Sequence, residues 1–320
     1  MSDREADLSA ESPAKGVPPA PAHAVYSNPN GMPYADGKNL HMDLGRGDIN
    51  NRIVTVGTAS RAEKVASFFD KITSRVASGR GFLTINGIYR DTPVSVVAIG
   101  MGPSMMDFFV RETRAVTDGP IVCARFGTCG GITEKAITGA VVVAKGGSAF
   151  VNRNPDAFVY CYDGSAPLPE NAAKKYNMFD VAPSDPRLSA ALEEELSNAL
   201  HGDAQLMEGR KKGDLVICGT NVTAESFYSS QGRLDPEFED GNEGLIEQVC
   251  ARYPNAMTME METFQLLHLA KCSKQPFYAS AAAIVVANRT INTTVEGDRL
   301  ERVESLGAQA VLHAVATFKI

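Results

Sequence analysis

Short apolar runs separated by amphipathic helical stretches constrain this chain more than any other feature. Ile53–Gly57, Val94–Gly100, Ile121–Phe126, Ala140–Ala144, Leu215–Gly219, Met257–Glu260 and Phe277–Val286 each read as a strand. Several are apolar throughout rather than alternating, the pattern of strands covered on both faces. Helical periodicity fills Ala59–Asp70, Pro103–Thr117, Pro186–His201, Glu243–Ala251, Glu262–Cys272 and Glu296–Phe318. Such alternation predicts an α/β domain around a mostly parallel, buried sheet. Two stretches break the pattern without looking like linkers: Val151–Pro186 reads as loop, and Gly232–Asn242 is acidic and glycine-bearing. Residues 1–38 are polar, rich in Pro, Ala and Asn and without periodicity, so they read as a mobile tail ahead of one domain at 39–320.

Composition narrows the function. With 44% hydrophobic residues in 320, a sizeable core is available. A net charge of −7 argues against a general nucleic-acid binder, and an anionic ligand then needs a local cluster of arginines. No apolar run approaches the ~20 residues of a membrane span, and the N-terminus lacks a signal-peptide core. Cys123, Cys129, Cys161, Cys218, Cys250 and Cys272 form no Cys-x-x-Cys pair, and the five histidines are scattered. These read as reduced thiols of a cytoplasmic protein, with no metal site expected.

In sheets of this kind ligands bind beyond the strand ends, so the chemistry is sought there. Glycines let backbone N–H groups approach a phosphate, and arginine offers a planar fork to its oxygens. Gly57 with Arg61, and Arg125 with Gly127 and Thr128, fit that need; tight turns and a solvated first helical turn are the plain alternatives. Arg125 follows an apolar run, where an unpaired cation is costly. A dinucleotide site is disfavoured, because Gly100-x-Gly102 has Met105 in the third glycine's place and the next strand ends in Arg125 rather than an acid. Glu260-Met261-Glu262 lies between a strand and a helix, where a glutamate either accepts from vicinal hydroxyls or complements the helix dipole. Gln231 and Arg233, two apart, would face the same way in an extended segment. They would suit a uracil edge, the amide serving O2 and N3–H and the guanidinium O4, or form a polar surface turn.

Together these segments resemble the nucleoside phosphorylase superfamily, and within it the uridine phosphorylases, from about Leu40 to the C-terminus. The pieces that carry the likeness are Arg125-Phe-Gly-Thr-Cys-Gly-Gly131, Phe227-Tyr-Ser-Ser-Gln-Gly-Arg-Leu-Asp235, Glu260-Met-Glu262 and Asn288-Arg289. The resemblance implies a single-domain three-layer α/β/α fold with a central mixed, mostly parallel sheet. It implies a phosphate site of Gly57, Arg61, Arg80, Arg125 and Thr128, and ribose contacts from His41, Met261 and Glu262. Phe227, Gln231 and Arg233 would hold the base, and Arg289 would belong to a closing loop near the leaving base. His41 and Arg80 would be lent across the interface of a homo-oligomer, a dimer being favoured. The implied reaction is reversible phosphorolysis of uridine, with inorganic phosphate as a substrate and no cofactor. Purine phosphorolysis, nucleoside hydrolysis and non-catalytic nucleoside binding are the alternatives. Purine members carry an aspartate in the loop after the late strand, and Val286-Ala-Asn-Arg-Thr290 has no acid there.

Overall fold

The computed structural model describes residues 30–166, 174–211 and 213–320. Its frame is set by two long apolar strands, which pair in parallel along their length. The first two strands, β1 (Tyr34–Ala35) and β2 (Lys38–Asn39), form a hairpin across the end of the stretch read as tail. Asp36 and Gly37 turn it with φ of 52° and 80°, the Asp-Gly signal of a tight hairpin. The tail reading for residues 1–29 lies outside the described residues.

The domain continues with β3 (Arg52–Val56), α1 (Ala59–Ala66), β4 (Lys71–Ala77), β5 (Leu83–Tyr89), β6 (Thr92–Ala98), α2 (Pro103–Val116) and β7 (Ile121–Gly131). After β8 (Val141–Val143) and β9 (Ser148–Arg153) come the short α3 (Tyr160–Asp163), β10 (Tyr176–Ala182), α4 (Pro186–His201) and α5 (Ala204–Met207). The remainder is β11 (Val216–Cys218), β12 (Thr220–Ala224), α6 (Leu245–Arg252), β13 (Ala256–Glu260), α7 (Thr263–Cys272), β14 (Phe277–Asn288), β15 (Thr293–Thr294) and α8 (Gly297–Thr317).

The sheet is mixed. β14, β7, β3 and β6 run parallel, while β5, β4 and β10 are added antiparallel. β13 pairs antiparallel with β7, and β12 and β9 follow it in parallel. The layers follow from side-chain alternation along β7. Val122, Ala124 and Phe126 pack with α1, α4 and α8, whereas Ile121 and Cys123 pack with α2 and α7.

The expected strands and helices are all present, with α1 ending at Ala66 rather than near Asp70. Three departures matter. Val151–Pro186 is not loop throughout: it holds the end of β9 and all of β10, whose outward Phe179 and Val181 mask the alternation. The hairpin β4–β5 and strand β12 go unread, because their apolar runs are short or interrupted by polar residues. The Gly127–Gly131 run is strand rather than turn. A Cβ on Gly131 would lie 2.6 Å from the Ala136 carbonyl, so close backbone approach is what requires glycine there.

Candidate active site

One edge of β7 carries two different strands. β3 pairs in parallel as far as Thr55 opposite Arg125, and β13 pairs antiparallel with Gly130 and Gly131. The C-terminal ends of β3 and β13 therefore approach each other head-on. Between Arg125 and Gly130 that edge of β7 has no strand partner among the described residues, leaving main-chain groups open in a gap flanked by two strand ends. Gly57, Arg125, Thr128 and Glu260-Met261-Glu262 all come from the walls of this gap.

Arg125 has the parity of Ile121 and Cys123, so it projects toward the α2–α7 layer. Its Nε donates to Glu260 at 3.1 Å and its Nη2 donates to Glu262. All three side chains are buried. Nη1 is buried without a hydrogen-bond partner among the described residues, an unmet donor that a bound acceptor would satisfy. Gly127 makes room for this group, since a Cβ there would sit 3.0 Å from Nη2 and 3.1 Å from Cζ.

Glu260 is the residue the sequence undervalued. One of its oxygens accepts from Asn221 at 2.8 Å, the Thr223 hydroxyl at 2.6 Å and the Thr263 amide at 3.1 Å. The other accepts from Arg125 and from the amides of Glu262 and Thr263. Although burial opposes ionisation, the Arg125 charge and the bonds from Thr223 and Asn221 hold its carboxyl below the usual range. Glu262 differs. Burial, with the like charge of Glu260 added, outweighs Arg125 and pushes its carboxyl up to about 7. Its other oxygen accepts the Gly102 amide at 2.6 Å, which ties the turn before α2 to the head of α7. One guanidinium is thus shared by a fixed anion and a carboxyl poised to titrate. Met261, between them, is partly exposed.

A second cluster holds Phe227, Gln231, Arg233 and Arg289. The segment is not extended, as read from sequence. Ser229–Gln231 form a 3-10 turn and Gly232 is left-handed at φ 64°. The turn still joins Gln231 and Arg233: Arg233 Nη1 donates to the Gln231 side-chain oxygen at 2.7 Å and to the Phe227 carbonyl. Its guanidinium lies 3.7 Å from the Phe227 ring centroid. Arg289 donates to the Gln231 carbonyl and, at 2.8 Å, to that of Gly232. Asn288 fixes the loop: its amide donates to the Thr133 and Ala136 carbonyls, and its oxygen accepts the Thr290 and Ile291 amides. Neither arginine is in an ion pair among the described residues. Burial lowers the pKa of both, and for Arg233 the Arg289 charge adds to this. Two half-buried cations, with Glu247 acting on Arg289 only at a distance, stand beside a buried amide and suit a ligand edge that carries or gains negative charge.

Three expected residues stand apart. Arg61 turns to α8, where its Nε donates to Glu304 at 2.6 Å, and Lys64 bonds the other oxygen at 2.6 Å. It shares no bonding partner with Arg125 among the described residues; the acid on α8 holds its Nε. Arg80 is exposed at the tip between β4 and β5. His41 stacks on Phe108 at 4.0 Å and is bonded to the buried Glu112 of α2. Glu112 lies ten residues beyond Gly102, about 15 Å along the helix axis. Gly57 does sit beside the gap, its carbonyl accepting the Gly100 amide at 3.1 Å.

A separate cavity of 430 Å³ lies elsewhere, between the C-terminal halves of α2 and α7, and none of these groups lines it. No helix among the described residues is long and apolar enough to cross a membrane.

The family model of the phosphorylase superfamily matches residues 51–318. A solved structure from a study of two uridine phosphorylases of the oomycete Phytophthora capsici is 42% identical, with a TM-score of 0.85, covering 92% of this chain and all of the other. A uridine phosphorylase of Thermococcus kodakarensis is 24% identical over 259 residues, 80% of each chain. A DeoD-type purine nucleoside phosphorylase of Listeria welshimeri is 31% identical over 283 residues, 88% of this chain and all of the other.

Proposed function

The chain belongs to the phosphorylase superfamily, and from that premise we propose that it catalyses the reversible phosphorolysis of uridine to uracil and α-D-ribose 1-phosphate. The observation that carries the pyrimidine reading is the Phe227–Gln231–Arg233–Arg289 cluster, a buried amide bracketed by two arginines that are in no ion pair among the described residues. As the C1′–N1 bond breaks, negative charge grows on the uracil oxygens, and preorganised donors aimed there lower the barrier. Phe227 would offer a face to the base, and Glu262 with Met261 would meet the ribose hydroxyls.

Phosphate would occupy the gap on β7, taking the unmet Arg125 Nη1 and contacts from Gly57 and Thr128. Held opposite the base, it captures C1′ with inversion as the oxocarbenium-like sugar forms. Positioning of this kind supplies up to about 7–11 kcal/mol. Arg61 would join by presenting its Nη groups while Nε stays on Glu304. This reaction requires no organic cofactor or metal. We also propose a homo-oligomer, a dimer, in which His41 and Arg80 serve a neighbour's site; both lie away from the gap of their own chain.

Purine phosphorolysis is the second reading, favoured by the 31% identity to a purine nucleoside phosphorylase. Against it stands Asn288-Arg289-Thr290, with no acid to meet a purine N7. Uridine and inosine, each with and without phosphate, decide the matter. Phosphate-dependent release of uracil supports the proposal, while release of hypoxanthine alone, or cleavage indifferent to phosphate, would overturn it.

A further inference from the structure

The segment bearing Gln231 and Arg233 is fastened by a residue outside it. Arg153 ends β9, and its amide donates to a Glu225 oxygen at 2.6 Å. That oxygen also accepts the Ser230 hydroxyl at 3.4 Å, which ties the start of the segment. The Arg153 guanidinium reaches the far end, donating to Asp240 at 2.8 Å and to the Glu239 carbonyl. Phe158 lies 3.9 Å below it, and the Tyr176 hydroxyl donates to the Asp240 carbonyl at 2.9 Å. Within the segment, buried Asn242 donates to the Ser229 and Arg233 carbonyls at 3.0 and 2.8 Å.

We propose that Arg153 is a positioning residue for pyrimidine recognition, a strap that clamps both ends of the 225–242 segment so that Gln231 and Arg233 keep their binding geometry. The inference rests on the reading that these two residues hold the base. It also gives a role to the stretch around Phe158 and Tyr176, which the sequence reads as loop. The physical basis is conformational. A segment of about this length without repeating structure has many arrangements, and a ligand that needs one of them binds more weakly in proportion to that arrangement's population. Charge-assisted bonds to Asp240 and a carbonyl, with an aromatic floor, keep the competent arrangement dominant.

The test is steady-state phosphorolysis by Arg153→Ala, Arg153→Lys and Asp240→Asn in the full chain, varying uridine and phosphate separately. Arg153→Ala should raise the uridine KM about tenfold, as expected if only a tenth of molecules stay competent. The phosphate KM should hold, since the Arg125 gap is untouched. Asp240→Asn should show a smaller shift of the same kind, and Arg153→Lys should recover part of the loss. A uridine KM indifferent to Arg153→Ala and Asp240→Asn overturns the strap, as does a parallel rise of both KM values with a lowered melting temperature. A wild-type protein that cleaves inosine but not uridine overturns the pyrimidine reading instead.

Discussion

Replacing Glu260 or Glu262 by glutamine makes the same chemical change at two carboxyls that share Arg125, yet the stability costs should differ. Each Glu260 oxygen accepts at least two hydrogen bonds from fixed donors, including main-chain amides that cannot turn away. A glutamine amide placed there points its NH2 at two or more donors, whichever way it is flipped. Each unmet buried donor costs about 1–3 kcal/mol, and breaking a buried ion pair about 3–5 kcal/mol. Because the two overlap, about 3–5 kcal/mol is expected for Glu260→Gln, or roughly 5–8 °C in Tm for a domain of this length. Glu262 titrates near 7, so the fold already tolerates its neutral form, and Arg125 keeps Glu260 as counter-ion. A glutamine there leaves one donor unmet, the Gly102 amide or Arg125 Nη2, so Glu262→Gln should cost about 1–3 kcal/mol at pH 6, with no ion pair broken. Urea unfolding followed by far-ultraviolet circular dichroism measures both. Equal costs, or the larger one at Glu262, would refute the division of labour between a fixed anion and a titrating carboxyl.

The same asymmetry gives a pH dependence. A carboxyl raised to about 7 from an ordinary 4.5 keeps its proton in the folded state where the unfolded chain releases it. Its contribution to stability therefore falls as pH rises from about 4.5 through about 7 and is level outside that window; Glu262→Gln should remove this component from a pH series of unfolding curves. Arg233→Ala should lower kcat on uridine by about 10²–10³ with the circular dichroism spectrum retained, and near-normal turnover would take Arg233 out of the site. Gly127→Ala drives a methyl into a guanidinium pinned by two carboxylates. It should cost about 1–3 kcal/mol and raise the phosphate KM; a variant with wild-type Tm and phosphate KM would show that Arg125 can yield.

The layers were legible because β3, β6, β7 and β14 are apolar runs between helices, and nothing local competes with that signal. What stayed hidden lies in long-range pairing. That β13 runs against β7, so that two strand ends meet at Arg125, depends on connections no residue encodes locally. The glycines at 127 and 131 could be seen but not their cause, which is close approach within an extended strand. Gln231 and Arg233 meet not along an extended segment but through a 3-10 turn ending in left-handed Gly232, which the alternation of an extended chain cannot distinguish. The attachment of Arg61 to Glu304, more than 200 residues away, had no sequence signature.

Charge accounting at the gap bears on assembly. Within one chain, Arg125 faces Glu260 and Glu262, while Arg61 and Lys64 face Glu304. With the carboxyls ionised Arg125 is outnumbered by its two anions, and Arg61 with Lys64 is taken up by Glu304 on α8, so a phosphate dianion in the gap would meet little positive potential and still lose hydration. Strong phosphate binding then calls for a further cation. Arg80, exposed at a hairpin tip outside the gap, is the residue we propose serves a second copy. Arg80→Ala should accordingly raise the phosphate KM while leaving the uridine KM nearly unchanged. Assembly can be isolated by mixing Arg80→Ala with Arg233→Ala after dissociation and reassociation. In a mixed pair, the site on the Arg80→Ala chain regains Arg80 from its neighbour and keeps its own Arg233. Equal mixing should restore about a quarter of the wild-type sites, since half the pairs are mixed and each has one complete site. At a phosphate concentration where neither variant turns over alone, a mixture as inactive as its components would show that Arg80 acts within its own chain or not at all.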